Sequence, residues 1–195
     1  MPSKFYYLGP LLFHTEINEN HLNEINMLCH KIEELNHRKN LAGHIHDEFK
    51  INHKKLEYIL DPYFDEFKGC FFNFYGHYID FYLNKAWVNY MKAAEFNPIH
   101  IHENCALSAV LFLSVPNEIK EENINFKGNT SDDSGGPGEL RFFISPRIAG
   151  FNTEKGFFPK RGDLFIFPAN LPHYVAPFKS NVERVSISFN MKEKT

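Results

Sequence analysis

Cysteine is scarce in this chain of 195 residues, and so is any long apolar run; each scarcity removes a class of protein. Cys29, Cys70 and Cys105 are odd in number, widely spaced and in no C-x-x-C pattern. Neither a disulfide framework nor a thiolate zinc site is encoded, and the three are expected as small core residues. No stretch approaches the roughly 18 apolar residues of a membrane helix. The start, MPSKFYYLGPLLFHTEINEN, lacks a basic segment followed by a clean apolar one. A soluble cytoplasmic protein with no membrane partner is the expectation. Positive charge is not in excess either: 21 Lys and Arg face 24 Asp and Glu, for a net charge of −3. No segment concentrates basic side chains as a phosphate-tracking groove requires, so nucleic acid is not expected as a partner. Internal repeats and a linker are also lacking, which leaves one domain over residues 1–195.

What the chain has in abundance is aromatic residues, 21 Phe and 9 Tyr among them, and hydrophobic residues make up 43%. That composition suits half-buried sheet surface and argues against disorder. A homodimer would cover some of it. KFYYLGPLLF (residues 4–13) reads as two short extended pieces around a Gly-Pro break. From Ile17 to about Arg38, Leu22, Ile25, Leu28, Ile32 and Leu35 recur at spacings of three and four, the stripe of an amphipathic helix. A second helical pattern, Leu56, Ile59, Leu60, Phe64 and Phe67, meets Pro62, which should kink it or start a new turn. Beyond Gly69 the texture changes to FFNFYGHYIDFYL, AWVNYM, ALSAVLFLSV, LRFFIS, DLFIFP and VERVSISFN, short runs of strand character. Lys127 to Gly138 reads as an exposed loop between two strands. Its glycines are no phosphate cradle, because a strand and not a helix follows. The fold class is α+β and mainly β: residues 1–69 form a mostly helical support and residues 70–195 an antiparallel sandwich or barrel.

Most of the 11 histidines sit in the helical half and read as solvated. Three stand apart. His100 and His102 lie two residues apart at a predicted strand edge, where the two-residue period aims both imidazoles to one side. His173 follows the run DLFIFP in a proline-bounded turn from which a third ligand can reach back. Eleven residues later, Arg184, Ser186, Ser188 and Asn190 share one strand face, and Val185, Ile187 and Phe189 the other. Arg184 with Ser186 would make a carboxylate clamp, a bidentate fork plus a hydroxyl donor. The alternative for Arg184 is a core ion pair with a residue such as Glu139.

The order H-x-H, then GDLFIFPANLPH, then RVSISFN resembles the Fe(II)- and 2-oxoglutarate-dependent dioxygenase superfamily. The similarity is closer to small oxygenases frequent in marine phages and bacteria, over Trp87–Leu113 and Gly162–Asn190. The resemblance implies a double-stranded β-helix (jelly roll) with N-terminal supporting helices. It also implies Fe(II) on His100, His102 and His173, and 2-oxoglutarate held by Arg184 and Ser186. O2 would be consumed, succinate and CO2 released, and a C–H bond of an unidentified substrate hydroxylated. The family's second ligand is usually a carboxylate, and His102 stands in its place. Either three neutral imidazoles form the face, with 2-oxoglutarate supplying the negative charge, or Glu103 swings in and displaces His102. Literal His-x-Glu matches at His14–Glu16 and His46–Glu48 read as coincidences, as does the earlier His44–His46 pair. Trp87, Asn89 and Tyr90 could line the cosubstrate pocket and Arg147 could touch substrate, with core and surface roles as the alternatives. Ser108 has only its position near the pair to recommend it. Two rivals remain open: a cupin-like three-histidine dioxygenase without 2-oxoglutarate, and a metal-free jelly-roll interaction module.

Overall fold

The described residues of the computed structural model are 9–41, 43–127, 135–145 and 153–194. Two antiparallel sheets face each other. The larger carries six strands in the order β1 (Phe13–Glu16), β8 (Asp163–Pro168), β5 (Leu107–Ser114), β10 (Arg184–Glu193), β3 (Phe81–Met91) and β2 (Asp47–Lys50). The smaller has the order β4 (Asn97–His100), β9 (His173–Val175), β6 (Leu140–Phe143) and β7 (Glu154–Phe157). This is the double-stranded β-helix, with α1 (Glu19–Asn26) and α2 (His53–Tyr75) on the outer face of the larger sheet and α3 (Asn117–Lys127) after β5. No described helix is long and apolar enough to cross a membrane.

The strands read as continuous apolar runs because both faces of the larger sheet are covered. On β5, Ala109, Leu111 and Leu113 join the helices' Leu56, Leu60 and Phe64 in an outer core. Val110 and Phe112 point the other way, into an inner core with Phe142, Phe165 and Phe167 between the sheets. Strand β10 follows the same alternation. Ile187 and Phe189 are fully buried in the outer core, and Ser186 pairs across from Phe112 on the inner face.

Several segments differ from the sequence expectation. The stripe from Ile17 to Arg38 is helical only over α1. Leu28 and Cys29 close it with three-residue turns back to Ile25 and Asn26. Ile32 and Leu35 are exposed, so no packing surface rewards continuing the stripe. Helix α2, in contrast, runs through Pro62 and past Gly69. Pro62 is exposed on the solvent side, as is Tyr58, whose carbonyl loses its helical donor to the proline and faces water. Phe67, Phe71 and Tyr75 stack at four-residue spacings, which makes FFNFY the last helical turns and not a strand. Gly76, at φ +75°, ends the helix, donating its N–H to the Phe72 carbonyl at 2.8 Å. Most of the expected loop, residues 128–134, lies outside the described residues; α3 and not a strand precedes it, and Gly136 and Gly138 beyond it are buried rather than exposed.

Candidate metal centre

Strands β4 and β9 pair so that His100 and His173 stand directly opposite each other. Strand β4 stops at His100, and His102 lies just beyond it, its backbone N–H fixed on the Ala169 carbonyl at 2.8 Å. The Nδ1 of His100 donates to the Pro98 carbonyl at 2.7 Å, and that of His173 to the Leu171 carbonyl at 2.9 Å. Those bonds fix tautomer and ring orientation, and they turn both Nε2 atoms inward as lone-pair donors. His102 Nε2 lies 3.3 Å from His173 Nε2, and ligand nitrogens of all three residues fall within 4.8 Å of one another. Two imidazoles at right angles on a metal with bonds of about 2.1 Å would stand about 3.0 Å apart, so small rotations complete the face.

Burial makes these rings good ligands by keeping them neutral. It lowers the pKa of His100; it pushes His102 down to about 4, with the His100 charge adding to the effect. His173, packed against Phe142 and Phe167, falls to about 3 through burial and then His100. Trp87 closes another side, its ring 6.2 Å from that of His102.

Arg184 opens β10 on the inner face, opposite Met91, and is 2% exposed. One terminal nitrogen donates to the Gly138 carbonyl at 3.0 Å and the other meets the Met91 sulfur at 2.9 Å, while the guanidinium lies 5.3 Å over Phe112. Its Nε has no hydrogen-bond partner among the described residues, and burial alone lowers its pKa to about 10. The core ion pair weighed for it is not formed: Glu139 binds Arg141 at 2.6 Å instead. A buried guanidinium without a carboxylate is costly, and an anionic ligand relieves that cost. Ser186 shares its face, two residues along.

The other sequence candidates separate cleanly. Glu103 is exposed and outside the cluster. Asn89 sits on the inner face opposite Ser186, with Trp87 opposite Ser188. Tyr90 is turned to the outer core, where Lys31 caps its ring at 4.3 Å, so it does not line this space. Ser108 is tied to Asn190 at 3.1 Å. His14 binds Asp163 at 2.8 Å, and His46 binds Glu95 at 2.5 Å, away from the cluster. Arg147 lies outside the described residues. Sequence reasoning met Glu48 only in the coincidental His46–Glu48 match; its side chain is buried on the inner side of β2 opposite Asn89.

Comparison with known proteins identifies the family and the fold. The family described as "Putative 2OG-Fe(II) oxygenase" matches residues 85–190, just over half of the chain. No curated protein matches in sequence. Among solved structures, a Pseudomonas putida prolyl-4-hydroxylase superposes with a TM-score of 0.60 at 16% identity, covering 94% of this chain and 93% of its own. A 2OG-Fe(II) oxygenase family oxidoreductase from Burkholderia pseudomallei gives 0.57 at 15% identity, over 95% and 84%. The viral collagen prolyl hydroxylase of Paramecium bursaria Chlorella virus-1, solved with 2OG, gives 0.56 at 13%, over 92% and 94%. At such identities the likeness is one of fold.

Proposed function

Because the chain belongs to the 2OG-Fe(II) oxygenase family, an oxidoreductase family whose cofactors are Fe(II) and 2-oxoglutarate, we propose that it hydroxylates a C–H bond of a substrate still to be identified. The iron would be held by His100, His102 and His173. The observation that carries this reading is the three gathered imidazoles facing the same interior as Arg184, a buried guanidinium with an unpartnered Nε. The donor set fits the cofactors. Neutral imidazoles suit Fe(II), and the dicarboxylate brings the negative charge that His102 does not.

With both bound, the cofactors supply an oxidant that converts C–H to C–OH, while 2-oxoglutarate and O2 become succinate and CO2. The chain's own contributions are positional. The Pro98 and Leu171 carbonyls hold His100 and His173 in the ligating tautomer. Arg184 and Ser186 bind the far carboxylate and so fix the cosubstrate's direction along β10. Trp87, Phe142 and Phe167 keep water from the centre.

The test is release of labelled CO2 from 1-labelled 2-oxoglutarate with Fe(II) and O2, in wild type, His102→Ala and Glu103→Ala. The proposal expects iron-dependent release that His102→Ala abolishes and Glu103→Ala retains. Release that survives His102→Ala and disappears in Glu103→Ala would overturn the ligand set, and no release by wild type would overturn the activity.

A further inference from the structure

On the inner face of the larger sheet, Glu48 is a second buried ionisable group without an ion-pair partner among the described residues. It is 1% exposed, and neither carboxylate oxygen has a hydrogen-bond partner among the described residues. Its neighbour across β3, Asn89, is also buried, and its Oδ1 is likewise unpartnered while its Nδ2 donates to Ser188 at 3.0 Å. Three acceptor atoms therefore stand together with nothing to accept from.

Of the charged groups nearby, Arg38 and Glu95 are engaged elsewhere. Arg38 attracts Glu48 from a distance, but its guanidinium donates to the Ile45 carbonyl. Glu95 is satisfied by His46 and by the Lys92 backbone N–H. Lys50, two residues along β2, is exposed. Burial pushes the Glu48 carboxyl up to about 7, Arg38 opposing and Glu95 adding to the rise. An arrangement that costly is not kept for packing, since a nonpolar side chain of the same size would be more stable there.

Register places this pair relative to the site. Strands β2, β3 and β10 are consecutive, so Glu48, Asn89 and Ser186 form one row across the inner face. The neighbouring rows hold Met91 with Arg184 on one side and Trp87 with Ser188 on the other. Glu48 lies two strand spacings, about 10 Å, from the strand that carries the clamp, and Trp87 bridges toward His102. A dicarboxylate drawn to Arg184 is repelled by Glu48. The acceptor cluster is therefore unsuited to the dicarboxylate and matched to a group of the opposite charge.

We propose that Glu48 and Asn89 form the recognition subsite for a protonated nitrogen, an ammonium or guanidinium, on the substrate to be oxidised. This rests on the oxygenase reading of the site. Glu48 pairs with the cation and Asn89 Oδ1 accepts one of its N–H groups, which orients the rest of the substrate past Trp87 toward the histidines.

The chain's single tryptophan, Trp87, sits between subsite and metal centre and reports on both. Under anaerobic conditions at pH 8, protein loaded with Fe(II) and 2-oxoglutarate is titrated with Nα-acetyl-lysine methylamide, Nα-acetyl-arginine methylamide or the neutral Nα-acetyl-norleucine methylamide. Trp87 emission follows the probe and the visible iron–2-oxoglutarate absorption follows the cofactors. Wild type is expected to bind one of the cationic probes at least tenfold more tightly than the neutral one. Glu48→Gln and the volume-filling Glu48→Met should lose that preference, melt no lower than wild type and keep the visible absorption. Equal binding of charged and neutral probes by wild type, or a preference that survives in the variants, overturns the subsite. Loss of the visible absorption in wild type with the cation preference intact counts against the oxygenase reading instead.

Discussion

Arg184 shows how much chemistry one side chain can reveal. Its guanidinium is fully buried with only a carbonyl, a sulfur and a ring for company. Changing Arg184 to Ala should therefore weaken 2-oxoglutarate binding by about 2–5 kcal/mol, as when one partner of a buried charge pair is lost. Iron affinity should stay within about threefold, because Arg184 is not among the clustered ligands. Paired titrations of metal and cosubstrate separate the two effects, and unchanged cosubstrate affinity would contradict the clamp. At this scale the sequence spoke plainly about some residues and not others. The two-residue spacing of His100 and His102 and the polar alternation of Arg184 and Ser186 are local patterns, readable without the fold. Glu48 was not readable, because its burial comes from pairing with Asn89, a strand 41 positions away in the chain. Tyr90 and Asn89 are adjacent in sequence and face opposite ways, which only the register of β3 against β10 decides.

Among the elements, helix α2 is the one the sheet depends on. Phe64 is 3% exposed, packed edge-on against Phe81 and Phe189 and so against two strands at once. Phe64→Ala should cost about 3–5 kcal/mol in a urea unfolding transition, and a cost below about 1 kcal/mol would mean that the helix is not part of the cooperative core. The start of α2 rests on Asn52, whose side chain accepts the Lys55 N–H at 3.1 Å. Element boundaries were where sequence reading fell short. The apolar stripe after α1 has the right period and no surface to bury against. The aromatic run after Gly69 has strand composition but helical spacing, and Gly76 marks where it ends. Strand β2 hides in DEFK, four residues that acquire strand character only by pairing with β3.

For the whole molecule, the histidine centre ties stability to pH. The pKa values of His102 and His173 fall from 6.5 to about 4 and about 3 on folding, through burial first and the neighbouring His100 charge second. Below pH 6.5 the unfolded chain therefore binds more protons than the folded one, and stability declines as pH drops toward 4. Melting temperatures of the metal-free protein should fall across that window and level off above about pH 7.5. The double variant His102→Gln, His173→Gln should show a shallower fall. An equal slope in both proteins would assign the pH dependence to other groups. Saturating metal should raise the melting temperature, by about 2.7 kcal/mol of added stability at a hundredfold excess over the dissociation constant. The larger architecture was readable because its runs of apolar residues are short, β-rich and evenly punctuated. The resemblance of the H-x-H, distal His and Arg order then specified the double-stranded β-helix.

The most direct test of the central claim is an anaerobic titration of metal-free protein, prepared without a histidine tag, first with Fe(II) and then with 2-oxoglutarate. One iron per chain is expected, followed by a visible charge-transfer absorption that saturates near one equivalent of 2-oxoglutarate and is lost in His173→Ala. Iron binding with no absorption on adding 2-oxoglutarate, or no iron binding at all, would contradict that claim.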